Sequence, residues 1–80
     1  MQQKTLPNKN HNKLAELGSY LYEIRFSYGL TLHDVAVDTK LHQNSISRIE
    51  HGFNMTLNSL VKLADYYQIS IAELFHEQSN

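Results

Sequence analysis

The side chains best suited to recognising a ligand lie at helical spacing in one short stretch of the chain. They share one predicted helix face and are Gln43, Asn44, Ser47, Arg48 and His51. Amide, hydroxyl and guanidinium groups are the ones that hydrogen-bond to base edges in a DNA major groove. We assign no acidic side chain to this face, and its composition therefore favours contact with DNA.

Four of these residues are predicted base contacts, namely Gln43, Asn44, Ser47 and Arg48. Gln43 or Asn44 can form two hydrogen bonds to adenine, and Arg48 can form two to guanine. Each such pair is worth about 1–3 kcal/mol of discrimination. The alternative interpretation is a solvated polar face that binds nothing.

Two short predicted helices position this face. They run from about residue 32 to 39 and from 43 to 51, which predicts a helix-turn-helix over about 32–51. The residues predicted to turn inward are Val35, Ala36, Thr39, Leu41, Ile46 and Ile49. Thr31 and Asp34 have the spacing of a capping box at the start of the first helix. Gly52 ends the second.

A longer helix is predicted before this pair. It begins at Lys13 with Asn12 as its N-cap, carries an apolar stripe as far as Tyr28 and ends at Gly29. Gly18 lies inside it, where glycine costs about 1 kcal/mol relative to alanine. Close packing against another helix would explain a glycine at this position.

Two further helices are predicted after the pair, which makes an all-α fold of five helices. Thr56 caps the fourth, and Ser70 with Glu73 has the spacing of a capping box at the start of the fifth. The residues of the fourth helix predicted to be buried are Leu57, Leu60, Val61, Ala64 and Tyr67.

Length and composition indicate one small globular domain. The chain has 80 residues, a formal net charge of −1 and no cysteine, so disulfides and thiolate chemistry are excluded. We assign residues 1–12 to a polar, flexible N-terminal arm, 13–76 to the domain and 77–80 to a C-terminal tail. No apolar run approaches the roughly 20 residues of a membrane span, and no signal peptide is recognisable. We therefore expect a soluble, cytoplasmic protein.

Five blocks of sequence, in this order, resemble the Xre/Cro family of phage-repressor-type helix-turn-helix regulators. They are Leu17-Gly18-x-x-Leu21-x-x-Ile24-Arg25, Gly29-Leu30-Thr31, Ser45-Ile46-Ser47-Arg48-Ile49-Glu50-His51-Gly52, Leu60-Val61-Lys62-Leu63-Ala64 and Ile71-Ala72-Glu73-Leu74-Phe75. The likeness covers residues 14–76. It implies a five-helix phage-repressor-like domain that binds double-stranded operator DNA as a transcriptional regulator, more often a repressor, in a prokaryotic cell or encoded by a phage.

Three features depart from the family pattern. Lys40 stands where the family usually has glycine, in a turn that often needs a positive φ, which costs lysine roughly 1 kcal/mol. His42 replaces the usual serine or threonine cap of the recognition helix, so weaker capping is expected. The loop Phe53-Asn54-Met55 lacks the common proline.

Further roles are predicted for individual residues. The candidate phosphate contacts are Thr31, Lys40, His42, Ser45 and Asn54, assisted by backbone amides at helix N-termini. The resemblance implies a structural salt bridge between Arg25 and Glu50. It also implies a homodimer through the last helices, with two recognition helices about 34 Å apart. The candidate interface residues are Tyr67, Ile69, Ile71, Leu74 and Phe75.

Catalysis, cofactors and metal sites are not expected. His33, His42 and His51 are too far apart in sequence to share one helix face, and no phosphate-binding loop or catalytic motif is present. The alternative function is a protein–protein adaptor or antitoxin-like module with weak or no DNA binding and an unknown partner protein. The near-neutral charge favours this alternative, whereas the acid-free polar face favours DNA. Phage repressors, restriction–modification controllers and antitoxins all remain open.

Overall fold

A computed structural model of the chain describes the backbone of residues 6–77 and the side chains of residues 13–75. Within that part, the chain forms five α-helices and no strand, which confirms the predicted all-α fold. The helices are α1 Leu6–Ser27, α2 Leu32–Thr39, α3 Gln43–Glu50, α4 Leu57–Tyr67 and α5 Ile71–Glu77. Both α1 and α2 pack against α3, while α4 packs against α2 and α5. Helix α3 is therefore held by two neighbours.

Helix α1 begins earlier than predicted, at Leu6 rather than at Lys13. Pro7 lies in its first turn, where a backbone N–H has no acceptor within the helix, so proline starts this helix instead of interrupting it. Asn12, the predicted N-cap, consequently lies inside the helix. The outer parts of the predicted arm and tail, residues 1–5 and 78–80, lie outside the described residues.

The core draws on all five helices. Its buried residues are Leu17, Leu21, Val35, Ile46, Ile49, Leu60, Leu63, Ala64, Tyr67 and Leu74. The prediction for α4 is partly wrong, because Leu57 and Val61 are exposed while Leu63 is buried. A run of apolar residues in an amphipathic helix allows two neighbouring stripes, and packing against α2 and α5 decides which of them turns inward.

Side-chain caps begin α2, α4 and α5, as the sequence predicts. At α2, the Asp34 N–H donates to Thr31 Oγ1 at 3.0 Å, and the Thr31 N–H donates to Asp34 Oδ2 at 2.9 Å. Thr56 Oγ1 accepts from the backbone of α4. Ser70 Oγ accepts from the Glu73 N–H at 2.9 Å. These local bonds set where the helices start.

The turn between α2 and α3 requires a left-handed residue, and that residue is Lys40. Its φ is 64° and its ψ is 26°, and its N–H donates to the Ala36 carbonyl at 2.9 Å. A lysine with left-handed backbone angles carries a steric penalty that glycine does not. The strain expected at this departure from the family pattern is therefore present.

Replacing Lys40 by glycine should raise the free energy of unfolding by about 0.5–1 kcal/mol, because glycine adopts this conformation without a Cβ clash. Chemical unfolding followed by circular dichroism measures the change. Lys40→Ala is the matched control, since it removes the charge but keeps the Cβ, and it should stay within about 0.5 kcal/mol of the parent chain. Equal stabilisation in both variants would contradict the assignment of strain to the backbone.

Helices α1 and α3 approach each other closely at Gly18. A Cβ built on Gly18 would lie 2.6 Å from the Glu50 carbonyl oxygen and would also collide with the Ile49 carbonyl oxygen. Both oxygens belong to the last turn of α3. The close helix contact predicted for Gly18 is therefore present, and it sets the distance between α3 and α1.

Candidate nucleic-acid interface

Helix α3 has a buried apolar side and an exposed polar side. Ile46 and Ile49 are 0% and 1% exposed, and they anchor the helix in the core. On the opposite side, Gln43, Asn44 and Arg48 are exposed and Ser47 is partly buried. We call these four polar residues the α3 outer face. The structure brings together all four residues that the sequence singles out as base contacts.

Two side chains of the α3 outer face are unpaired within the described part of the chain. Among residues 13–75, no hydrogen bond or ion pair involves the Arg48 guanidinium or the Asn44 side-chain amide. The Gln43 amide, by contrast, donates from Nε2 to His33 Nδ1 at 3.3 Å. Unpaired guanidinium and amide groups keep their full hydrogen-bonding capacity for an external partner.

Glu50, the acid in the last turn of α3, is paired with Arg25 of α1. Arg25 Nε donates to Glu50 Oε2 at 2.7 Å and Nη2 donates to Oε1 at 3.0 Å. The two side chains are only 13% and 6% exposed. The hydrogen bond to Glu50 raises the pKa of Arg25 above its ordinary value. The two residues of the predicted salt bridge are thus in direct, bidentate contact.

The same guanidinium also holds the segment before α2. Arg25 Nη1 donates to the Leu30 carbonyl oxygen at 2.8 Å, and the guanidinium carbon lies 5.3 Å from the centre of the Tyr22 ring. One side chain of α1 is therefore bonded both to α3 and to the chain entering α2. This arrangement fixes the α3 outer face relative to the rest of the domain.

The N-termini of α2 and α3 differ in how their backbone amides are occupied. At α2, the Thr31 N–H is already bonded to the Asp34 carboxylate, and that bond lowers the pKa of Asp34. At α3, His42 is the N-cap and its side chain makes no capping bond. The first amides of α3 are therefore more accessible to an anion than the Thr31 amide.

The remaining phosphate candidates lie in the first turn of α3 or on either side of it in the chain. Lys40 is exposed in the turn before it, and Ser45 is partly buried in its first turn. Asn54 is exposed after its end and adopts a φ of 53°. Lys40 and Asn54 are thus left-handed residues that flank the helix.

Two of the five predicted dimer residues are not on the surface. Tyr67 and Leu74 are 2% and 0% exposed in the single chain, where they fill the core. A domain of this size has a small core, and apolar residues of its last helices are needed to complete it. Ile69 and Ile71 are partly buried, and Phe75 is 49% exposed.

Two polar contacts between helices could not be predicted from the sequence. The Tyr66 hydroxyl donates to Asp38 Oδ2 at 2.6 Å, which raises the pKa of Tyr66 to about 12. The other is the hydrogen bond between Gln43 and His33, a residue to which the sequence assigns no role. His33 and Gln43 are 10 positions apart, a spacing that neither helical nor strand periodicity brings together, so their contact depends on how α2 and α3 cross.

Other kinds of site find no support in the described residues. No group of three or more histidine or acidic side chains among them could hold a metal ion. None of the described helices combines the length and the hydropathy needed to cross a membrane.

Two short helices joined through a left-handed turn, with an exposed polar face on the second, define a helix-turn-helix protein. The sequence profile of the Cro/C1-type HTH DNA-binding domain matches residues 23–77, which is more than half of the chain. The chain therefore belongs to this family and is a DNA-binding regulator, and the resemblance to the Xre/Cro family is confirmed. No curated protein and no solved structure shows significant similarity to it.

Proposed function

We propose that the chain is a repressor-type regulator that inserts α3 into the major groove of operator DNA and reads its sequence. The observation that supports this proposal is the α3 outer face, where Arg48 and Asn44 are exposed and unpaired among the described residues. Arg48 offers two parallel donors to guanine, and Gln43 or Asn44 offers a donor and an acceptor to adenine. Ser47 adds a hydroxyl beside them.

Phosphate contacts around α3 would hold the helix in the groove. The uncapped amides at the start of α3 favour an anion, and Lys40, His42 and Ser45 lie next to them in the chain. Thr31 and Asn54 would contribute from the start of α2 and from the loop after α3. Such contacts position the protein but do not distinguish sequences.

A second copy of the chain would double the recognition surface. Phe75, which is half exposed, and the partly buried Ile69 and Ile71 are the predicted interface residues that remain accessible. A twofold dimer places two recognition helices about 34 Å apart, one turn of DNA. Its operator would then consist of two inverted half-sites.

Selection of bound duplexes from a random DNA pool tests this proposal. We expect enrichment of one sequence, arranged as an inverted repeat with half-sites about one helical turn apart. Affinity for the selected duplex should fall steeply with salt concentration, because phosphate contacts release counterions. Absence of enrichment together with salt-insensitive binding would favour the protein–protein adaptor instead.

Two single variants separate base reading from phosphate binding. Arg48→Ala should relax the preference at one base position and weaken binding to the selected duplex by about 1–3 kcal/mol. Lys40→Ala should weaken binding to all duplexes alike and reduce the salt slope by about one. Mobility shifts on the selected duplex and its single-position variants measure both effects. If both substitutions affect every duplex equally, the assignment of Arg48 as a base reader is wrong.

A further inference from the structure

The contact between α2 and the α3 outer face involves a titratable side chain. His33, in the first turn of α2, receives a hydrogen bond from Gln43, the first residue of α3. Nε2 of the Gln43 amide lies 3.3 Å from Nδ1 of the imidazole, and both side chains are exposed. Gln43 is a base reader in the function proposed above, and the following inference rests on that role.

The order of donor and acceptor on the Gln43 amide is what matches it to adenine. Adenine presents an acceptor at N7 and a donor at N6 in the major groove, so the amide must place its nitrogen and its oxygen opposite them in one order. When Nε2 uses one of its N–H groups on His33, the other N–H and the carbonyl oxygen remain for the base. The neutral imidazole thereby selects one of the two possible orientations of the amide.

Protonation removes this arrangement. An imidazolium carries an N–H on both ring nitrogens and accepts a hydrogen bond at neither, so Nδ1 must then donate. Only the carbonyl oxygen Oε1 of Gln43 can meet that donor, and a half-turn of the terminal amide exchanges the nitrogen and the oxygen. The base would then face the same two groups in the reverse order.

We propose that His33 is a positioning residue that makes the base preference of Gln43 depend on pH. With His33 neutral, the amide is oriented as in the structure and matches adenine. When a proton from solution binds Nδ1, the amide turns over, and the match to adenine is lost. Because the charge of a histidine ordinarily changes between about pH 5 and 8, the test spans this range.

Charged side chains lie near His33 on its own helix. Asp34 is next to it in α2, and its carboxylate interacts with the imidazole. Asp38, one turn further on, lines the same surface groove as His33. From α3 the imidazole meets the neutral Gln43 amide, and Asp38 accepts a hydrogen bond from Tyr66 of α4. Both charged neighbours are thus carboxylates of α2, whereas the contact from α3 is neutral.

Acidification should change DNA binding in opposite directions through general electrostatics and through the orientation of the Gln43 amide. Protonation of any histidine near DNA attracts phosphate and strengthens binding to every sequence alike. The turnover of the Gln43 amide weakens binding only where adenine is preferred. The ratio of affinities for two duplexes therefore isolates the proposed effect, because the general attraction cancels.

The test uses the duplex selected at about pH 8 and the same duplex with the base pair read by Gln43 replaced by G·C. Gln43→Ala identifies that pair as the one whose discrimination disappears. For the parent chain, we expect the affinity ratio of the two duplexes to fall about fivefold or more between about pH 8 and pH 5.5. His33→Gln can accept the same hydrogen bond but does not titrate, so its ratio should be independent of pH.

His51→Gln is the matched histidine control, because His51 bonds to the Ser47 carbonyl rather than to Gln43. The pH dependence of the ratio should persist in this variant. A ratio that does not change with pH in the parent chain, or an equal change in His33→Gln, would overturn the proposal.

Nuclear magnetic resonance of the free protein separates this inference from the proposed function. The Gln43 side-chain amide signals should shift with the same midpoint as the His33 ring signals, and they should stay constant in His33→Gln. If Gln43→Ala leaves all base discrimination intact, the base-reading role of Gln43 fails, whatever the titration shows. If discrimination disappears but the Gln43 amide signals ignore the His33 titration, only the switch is wrong.

Discussion

Gly18→Ala is expected to lower the free energy of unfolding by about 2–3 kcal/mol. The added methyl group would lie 2.6 Å from the Glu50 carbonyl oxygen and 2.8 Å from its carbonyl carbon. These are backbone atoms of the last turn of α3, so the clash cannot be relieved by a side-chain rotation. Either α3 moves away from α1, which also disturbs the Arg25–Glu50 pair, or the domain unfolds more readily.

The sign of this change is informative because helix propensity acts in the opposite direction. In an open helix, replacing glycine by alanine stabilises by about 1 kcal/mol. Gly29→Ala is a suitable comparison, since Gly29 has a φ of 69° and a methyl group added there would meet no atom within 4 Å. It should cost about 1–2 kcal/mol through backbone strain alone. Urea unfolding measures both variants, and a Gly18→Ala chain as stable as the parent would refute the close contact.

Glu50→Ala is expected to cost about 3 kcal/mol of unfolding free energy. It leaves the Arg25 side chain, 13% exposed, without the carboxylate that accepts two of its hydrogen bonds. An uncompensated charge in this position is costly because protein replaces much of its water. Since the pair is largely buried, the loss should change little with salt concentration.

Two further variants identify the cause of this loss. Glu50→Leu combined with Arg25→Met removes both charges and should recover most of the stability, because no buried charge is left unpaired. Glu23→Ala removes an exposed acid from α1 and should stay within about 0.5 kcal/mol of the parent chain. Thermal and urea unfolding of the four chains give the comparison. If Glu50→Ala or a charge reversal at Glu50 leaves stability unchanged, the pair does not hold α3 in place.

Much of the helix-turn-helix could be predicted because its determinants are local. The capping box of Thr31 and Asp34 needs residues only three positions apart, and the inward turn of Ile46 and Ile49 follows from helical spacing. The left-handed turn at Lys40 follows from the resemblance to a family with glycine there. The start of α1 could not be predicted in the same way, because a proline such as Pro7 can begin a helix or break one, depending on its position.

The apolar residues of the last two helices show the limit of such reasoning. Tyr67 and Leu74 are apolar enough to suit an interface, but in the single chain both side chains are buried in the core. On α4, spacing predicts that Leu57 and Val61 are buried, whereas the structure exposes both and buries Leu63. Whether an apolar side chain covers its own core or another surface depends on where neighbouring helices lie, and sequence period carries no such information.

The amino-acid order alone accounts for which groups α3 displays, since helical periodicity places Ile46 and Ile49 on one side of the helix and the polar side chains on the other. Local bonds and spacing are sufficient for that. The crossing of α2 and α3 and the closeness of α1 determine what those groups touch within the chain. The bond from Gln43 to His33 and the clash-limited contact at Gly18 join residues 10 or more positions apart, so they arise only when whole helices pack.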